Sequence, residues 1–424
     1  MQPPTRSTAK TLTRDVCIIS IGEELLIGQT VNTNASWMAT HLNVIGMKVI
    51  RIFVITDNKQ DIIDTIRAAS GIADLTLITG GLGPTRDDVT KQALCSYFDT
   101  SLKMDNRVLA DIELFFKNRG LEMIESNEMQ ALVPIKAKAL RNPYGTAPGL
   151  WFEENGKIVV SMPGVPFEMQ HMFEKEVIPE LKRRIPPYHI VHRTILTTGI
   201  GESFLAEKIA SWEQSLPDNI SLAYLPSPGI VKLRLSSSGS DREAIHTHIQ
   251  QQIDELQKII PTYIWGMDKD KLEEKIGEAL QRKGKTLATA ESCTGGYIAH
   301  RITSVPGSSA YYKGSVVAYA NDIKKQLLLI SQTQLDQFGA VSEEVVTSMA
   351  MQARQLFQTD YALAVSGIAG PEGGTKDKPV GTVWIAVASE QGVTSKRYGF
   401  GDNRERNIIR ASTSAMGILL KAIT

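Results

Sequence analysis

Cysteine is scarce in this chain: 424 residues hold three, Cys17, Cys95 and Cys293. They are odd in number, far apart and without a C-x-x-C pair, which argues against a disulfide framework and a thiolate metal site. Net charge is missing too. Lys+Arg 46 balances Asp+Glu 46, so no global field draws the chain to nucleic acid or anionic lipid. No apolar run is long enough to span a bilayer, and the first fourteen residues are polar, with no apolar stretch behind a positive start. These absences predict a soluble, cytoplasmic protein that binds neither membrane nor nucleic acid directly, and the length predicts two or three domains.

What is present is an alternation of apolar runs and amphipathic stretches. Val16 to Ile21, Lys48 to Ile55 and Leu75 to Thr79 read as strands, while the stretches opened by Asn32-Thr33-Asn34 and by Asp61 read as helices. That order predicts a parallel sheet covered on both faces, with ligands beyond the carboxyl ends of its strands. Gly22-Glu23-Glu24 and the run from Gly80 to Asp88 fall at those ends. The run Gly80-Gly81-Leu82-Gly83-Pro84-Thr85-Arg86-Asp87-Asp88 has neither the Lys-Ser/Thr ending of a P-loop nor the spacing of a dinucleotide turn. Its glycines still allow a phosphate to approach the backbone, and Asp87 and Asp88, read as the start of the next helix, suit Mg²⁺ held against that phosphate. A turn with acidic helix caps is the alternative. Two loops rich in Pro and Gly follow, Arg141 to Gly149 and Met162 to Met169.

From about Ile178 the composition shifts, and Pro179, Pro186 and Pro187 mark a boundary. Thr194 to Thr198 and Ile230 to Leu235 read as strands, Ser203 to Trp212 and Arg242 to Ile260 as helices. This small α+β unit has no G-x-x-G loop with basic flanks, so it reads as a connector and dimer element rather than a nucleic-acid reader. His246 and His248, two apart on a helix, face different ways and make no metal pair.

The last third is organised around Ala290-Glu291-Ser292-Cys293-Thr294-Gly295-Gly296, where a strand over Thr286 to Thr289 becomes a helix beginning near Gly296. Unpaired N–H groups at such a start suit an oxyanion or a phosphate, with Ser292 at the mouth. Read alone, the same residues also make a tight turn with Ser292 and Thr294 as caps. From residue 264 onward His300 is the only histidine, and there is no G-x-S-x-G elbow. That leaves a lysine as the base, since a desolvated lysine has a lowered pKa. Spacing by itself does not separate Ser292 from Cys293 as nucleophile. Further strands are read at Gly314 to Ala320, Tyr361 to Val365, Thr382 to Ala388 and Lys396 to Phe400.

Gly80 to Thr90, Asn142 to Gly149 and Pro163 to Met169, in that order, resemble the molybdopterin-binding-type domain that opens proteins of the CinA (competence/damage-inducible) family. The unit after Ile178 is similar to that family's KH-type middle domain. Ala290 to Gly296, Val305 to Ala310, Tyr319 to Lys324, Gly339 to Glu344, Ser366 to Gly374 and Lys378 to Trp384 are similar to its carboxy-terminal domain, which also occurs alone as nicotinamide mononucleotide deamidase. The polar first residues read as a mobile arm over 1–14, and the resemblance implies a three-layer α/β molybdopterin-binding-like domain over 15–176, a small α+β KH-type connector over 177–263 and an α/β CinA domain over 264–424.

The resemblance further implies a bifunctional hydrolase that recycles pyridine nucleotides and forms a homodimer. The last domain would convert nicotinamide mononucleotide to nicotinate mononucleotide and ammonia without a cofactor. By motif, Ser292 is its nucleophile, Lys324 its base and Tyr319 an orienting hydroxyl or ring partner. Thr294, Gly295, Gly296, Ser309, Ser366, Gly367 and Arg404 would hold the substrate, with Cys293 left as a packing residue. The first domain would be an ADP-ribose pyrophosphatase. There Gly22, Glu23, Asn34, Gly80, Gly81, Gly83, Thr85, Asn142, Gly145 and Thr146 would hold phosphates, and Asp88 with Asp87 a divalent cation, Mg, Co or Mn. The alternatives are a protein that handles molybdopterin or the molybdenum cofactor, and a non-enzymatic competence or DNA-damage scaffold.

Overall fold

The computed structural model describes residues 12–85 and 87–424. Most of the arm expected over 1–14, and Arg86, lie outside the described residues. The chain divides into two compact units, one running up to Val191 and including Ser238–Ile245, the other formed by His192–Ser237 and His246–Thr424.

In the first unit six strands form a sheet in the order Lys48–Ile55, Asp15–Ile21, Leu75–Thr79, Lys157–Met162, Gly149–Glu154, Lys138–Leu140. The first four are parallel and the last two antiparallel, so the expected parallel sheet is in fact mixed. The tight turn after Glu154 joins two neighbours as a hairpin, which only antiparallel strands permit. Val16 to Ile19 are wholly buried, as an apolar strand covered on both faces must be. Met38, Leu42, Met169, Phe173 and Leu181 cover one face; Ile62, Ile66, Ala93 and Leu94 cover the other. The result is three layers.

Pro179 does not break the chain where the composition shifts. The helix that opens at Pro166 continues through a wider turn at Phe173–Val177 into Ile178–Arg184. Proline lacks an N–H and its ring crowds the carbonyl one turn back, and the widened turn relieves both. Val177, Leu181 and Ile185 accordingly belong to the first unit's core.

The middle sheet has the order Ile220–Ser227, Ile230–Gly239, His189–Thr198, Ile264–Met267. Ile220–Ser227 is absent from the sequence reading because Pro226 and two serines disguise it, yet it pairs along its whole length with Ile230–Gly239 as a hairpin. Ile264–Met267, with which the last segment was read to open, pairs with His189–Thr198.

The last sheet runs Tyr312–Val317, Leu287–Glu291, Tyr361–Gly367, Thr382–Ser389, Gly392–Gly399. Its first three strands are parallel and the rest antiparallel. Alternation along Tyr361–Gly367 sorts the two faces by size. Leu363 and Val365 meet a core that includes Leu272, Ile298 and Leu419, whereas Ala362 and Ala364 let the helix Glu343–Phe357 lie close, with Val345, Val346 and Met349 against the sheet.

Candidate functional site

Register builds the site. Glu291 lies beside Val317 on one neighbour and Val365 on the other, so the three parallel strands end together and deliver Ser292, Ala318 and Ser366 side by side. This is the edge where ligands bind in open α/β sheets. Ser292 is fixed there by its own N–H, which donates to the Val365 carbonyl at 3.0 Å.

Lys324 reaches the same edge from the helix Asn321–Leu328. Its Nζ lies 3.0 Å from Ser292 Oγ and donates to the Ala318 carbonyl at 2.7 Å. A lysine only 2 % exposed and without a carboxylate partner carries a heavy penalty on its charged form. Burial therefore holds its pKa below the ordinary lysine value, with a smaller opposing influence from Cys293. The hydroxyl and the buried amine are within hydrogen-bond reach of one another, a contact that any nucleophile and its base require.

Glu291, which the sequence reading left without a role, is the residue that shapes this turn. Its carboxylate is wholly buried and accepts from the N–H groups of Gly296, Ile298 and Ala299 and from the Thr294 hydroxyl, at 2.7 to 3.1 Å. The expectation that the helix start aims its N–H groups outward is thereby corrected: a carboxylate of the chain occupies them. Thr294, expected to hold substrate, turns its hydroxyl inward to Glu291 and is 2 % exposed. Gly295 and Gly296 supply two successive left-handed residues, φ 61° and 95°, that let the chain double back over Glu291. The Gly295 N–H donates to Ser292 O and that of Tyr297 to Thr294 O, so among the described residues the N–H groups of Cys293 and Thr294 are the turn's backbone donors that bond no other residue.

Arg404 and Tyr319 meet at the rim, where Arg404 Nη2 donates to Tyr319 Oη at 2.7 Å while its Nη1 donates to the Gly370 carbonyl at 2.7 Å. Tyr319 lies two residues beyond its strand and is 60 % exposed. The Asn403 side chain caps the final helix Arg404–Ile423, which sets Arg404 at the first helical position. Asn407 also lacked a role in the sequence reading. It is buried and bonds the carbonyls of Ala369 and Gly401, tying the loop after Ser366 to the turn that carries Arg404. Ser366 is buried with its hydroxyl given to the Ala340 carbonyl at 2.7 Å. A Cβ placed on Gly367 would lie 3.0 Å from Cys293 Sγ, so these two share the floor. Ser309 is exposed on a short turn, Ser308–Ala310, and bonds to neither Ser292 nor Lys324.

Cys293 is 6 % exposed. Burial pushes its thiol up to about 12, more than its own backbone N–H, Lys324 and Arg404 pull it down. The thiol is thus neutral at physiological pH and packs as a small apolar group.

In the first unit a cleft of about 120 Å³ is lined by Ser20, Glu24, Asn34, Thr79 and Gly164, among others. Asn34 Nδ2 donates to Thr79 Oγ1 and to the Gly164 carbonyl, at 3.2 and 2.8 Å, while its Oδ1 is buried and has no partner among the described residues. A Cβ on Gly80 (φ 111°) would sit 2.2 Å from the Ile21 carbonyl oxygen, so only glycine lets the two strand ends approach here. The Gly81 carbonyl accepts from the Thr90 N–H, and a Cβ on Gly81 would meet the Thr90 hydroxyl, as one on Gly83 would meet the Asp88 carboxylate. Gly22 donates its N–H to the Ile55 carbonyl, and Glu23 is exposed on a one-turn helix.

Asp88 does not begin a helix. The helix is Thr90–Tyr97, and Asp88 instead accepts from the N–H and hydroxyl of Thr85, closing the glycine loop on itself. Asn142 folds its own loop in the same way, accepting from the N–H groups of Tyr144 and Gly145 and donating to the Ala147 carbonyl and to Glu168. Gly145 faces the Glu168 carboxylate, and Thr146 lines a shallow pocket with Asp111. Asp57 stands two residues beyond the parallel strand Lys48–Ile55, a placement readable in the sequence. Its pKa is raised by burial and by Glu24, Asp87 and Asp88, against a bond from the Glu23 backbone. Among the described residues no three His, Cys, Asp or Glu side chains are gathered to hold a metal ion. A small divalent cation is commonly held by one or two carboxylates together with substrate phosphates, and these oxygens fit that chemistry.

Three family models match the chain: the probable molybdopterin binding domain over residues 17–183, the damage-inducible protein CinA KH domain over 192–266, and the CinA C-terminal domain over 269–423. CinA-like proteins of Cytophaga hutchinsonii and Flavobacterium psychrophilum are each 46 % identical, the matches covering 96 % of this chain and 97 % and 98 % of theirs. A crystal structure of the protein CinA with unknown function from Thermoplasma acidophilum is 34 % identical, covers 40 % of this chain and 98 % of its own, and superposes with a TM-score of 0.37. Among the described residues no helix is long and apolar enough to cross a membrane. With matched relatives along nearly its whole length and three consecutive family domains, the chain belongs to the CinA family.

Proposed function

We propose that the last domain is an amidohydrolase that removes ammonia from nicotinamide mononucleotide, with Ser292 as nucleophile and Lys324 as base. The observation that carries this reading is the 3.0 Å contact between Ser292 Oγ and a buried, carboxylate-free lysine amine. Neutral Lys324 takes the hydroxyl proton as Oγ attacks the carboxamide carbon. The oxyanion meets the N–H groups of Cys293 and Thr294, and the proton passes from Lys324 to the departing ammonia. Water then cleaves the acyl-serine by the same steps, which releases nicotinate mononucleotide. Arg404 would hold the phosphate and Tyr319 the ring or ribose at the rim. The direct test is ammonia release from nicotinamide mononucleotide by the full chain, with no added metal.

Because Cys293 is a neutral packing thiol and consecutive residues point apart, Cys293→Ala should keep most of the deamidation rate. A dead Cys293→Ala beside a competent Ser292→Ala would reverse the assignment.

The first domain is assigned as a divalent-metal-dependent ADP-ribose pyrophosphatase. Asp88, Asp57 and Asp87 would hold the cation, which supplies charge neutralisation at the pyrophosphate. Asn34 and the glycine loop Gly80 to Gly83 would position the phosphates. Chelation should abolish cleavage of ADP-ribose and leave ammonia release unchanged; the opposite pattern would exchange the two sites.

A second reading takes the family description at its word, with the first domain binding a molybdopterin-type ligand or the chain acting in competence or damage responses. The unpartnered Asn34 Oδ1 in the cleft favours a ligand bearing a hydrogen-bond donor and serves a pterin as well as a nucleotide. Separate incubations with ADP-ribose, molybdopterin and nicotinamide mononucleotide distinguish them, since turnover of neither nucleotide would leave this second reading standing.

A further inference from the structure

The second compact unit holds a cavity of about 460 Å³ between the middle sheet and the last helix, apart from the Ser292 edge. Arg410 and Ser414, one turn apart on Arg404–Ile423, line one wall. Arg410 pairs with no carboxylate or carbonyl among the described residues. Ser414 is 6 % exposed, lines the cavity, and its hydroxyl likewise has no partner among the described residues. Opposite them the turn Gly199 to Gly201 opens the thirteen-residue helix Glu202–Gln214, whose first N–H groups no side chain caps. Tyr398 and Phe400, stacked at 5.5 Å with planes 14° apart, form the apolar wall.

An unpaired guanidinium, a buried hydroxyl donor and an uncapped helix start all call for an anion, and the adjoining aromatic wall calls for a flat apolar group. The volume lies within the range of small-ligand pockets, about 300–1,000 Å³. We propose that this cavity is a binding site for a nucleoside monophosphate. Its phosphate is held by Arg410, Ser414 and the start of the Glu202 helix, and its base lies against Tyr398 and Phe400. The Glu202 carboxylate at the same mouth opposes the phosphate's charge, which Arg410 offsets. It suits the ribose, whose hydroxyls donate to it.

Calorimetric titration of the full chain with AMP, ribose 5-phosphate and inorganic phosphate tests this. AMP should bind with a component that weakens at least tenfold in Arg410→Ala and vanishes in Ile200→Trp, which fills the cavity with an indole. Ribose 5-phosphate should bind the same component more weakly, and phosphate most weakly. Any AMP bound at the first unit's cleft is unaffected by either change and cancels in the comparison. Should Ile200→Trp melt early, Arg410→Gln keeps the stem and removes the charge, and is expected to give the same loss as Arg410→Ala. An AMP isotherm unchanged by the Arg410 substitutions would overturn the proposal, as would equal affinity for AMP and bare phosphate.

Discussion

Ser292→Ala is expected to lower ammonia release from nicotinamide mononucleotide by about a thousandfold or more, as removal of a covalent nucleophile does. Lys324→Met should be nearly as damaging, because the hydroxyl then keeps its proton. The double variant should be scarcely worse than either single one, since two groups that act as a unit lose their joint effect once. Stability should move the other way for Lys324. Its folded-state pKa is depressed below the unfolded value, so between those two values the unfolded chain binds more protons and folding is penalised. The penalty is full below the depressed pKa and fades as pH rises toward the ordinary lysine value. Lys324→Met removes it, and the melting temperature at neutral pH should rise while turnover collapses. Deamidation by the parent should climb with pH through the same depressed pKa, where the neutral amine becomes available. Additive losses in the double variant, or a rate indifferent to pH over that window, would show that Ser292 and Lys324 do not work together.

Glu291→Gln should produce the second large effect. Four donors converge on two oxygens here. An amide offers one oxygen and turns its NH₂ toward N–H groups that need an acceptor. Leaving one or two buried donors unmet costs about 2–4 kcal/mol, which lowers the melting temperature of a unit this size by roughly 10 °C. The turn would also loosen around Ser292, so kcat should fall far more than KM rises. Glu291→Asp, with the charge kept but the reach shortened, should recover part of both. A Glu291→Gln protein that melts like the parent and turns over normally would refute the role given to this carboxylate.

Much of the architecture was legible from apolar periodicity. Val16 to Ile21, Lys48 to Ile55 and Leu75 to Thr79 announce strands, and the strands observed there match within a residue, although Lys48–Ile55 lies at the sheet edge and has no buried residue. What periodicity misses is pairing. Nothing in the composition of Gly149–Glu154 tells a parallel partner from an antiparallel one, and Ile220–Ser227 pairs through its backbone despite Pro226 and its two serines. The site divides the same way. Ser292 and Lys324 are 32 residues apart and come together through the register of two strands, so motif resemblance could name them while spacing could not. Glu291 was in plain view as an acid ending an apolar strand. Its target, the start of the helix that follows it, becomes visible only when the Gly295–Gly296 turn is seen to fold back.

The buried neutrality of Cys293 bears on endurance under oxidative stress. Peroxides and disulfides attack thiolates, and a thiol held up to about 12 offers almost none at any pH a cell reaches. An amidase built on a cysteine nucleophile must keep that sulfur ionised and therefore stands exposed to sulfenic and sulfinic acid formation. In the mechanism proposed above the sulfur is one residue from the attacking atom and stays a neutral thiol, while a serine oxygen has no such oxidation ladder to climb. The arrangement would let this centre continue working in a peroxide burst that silences thiol enzymes around it.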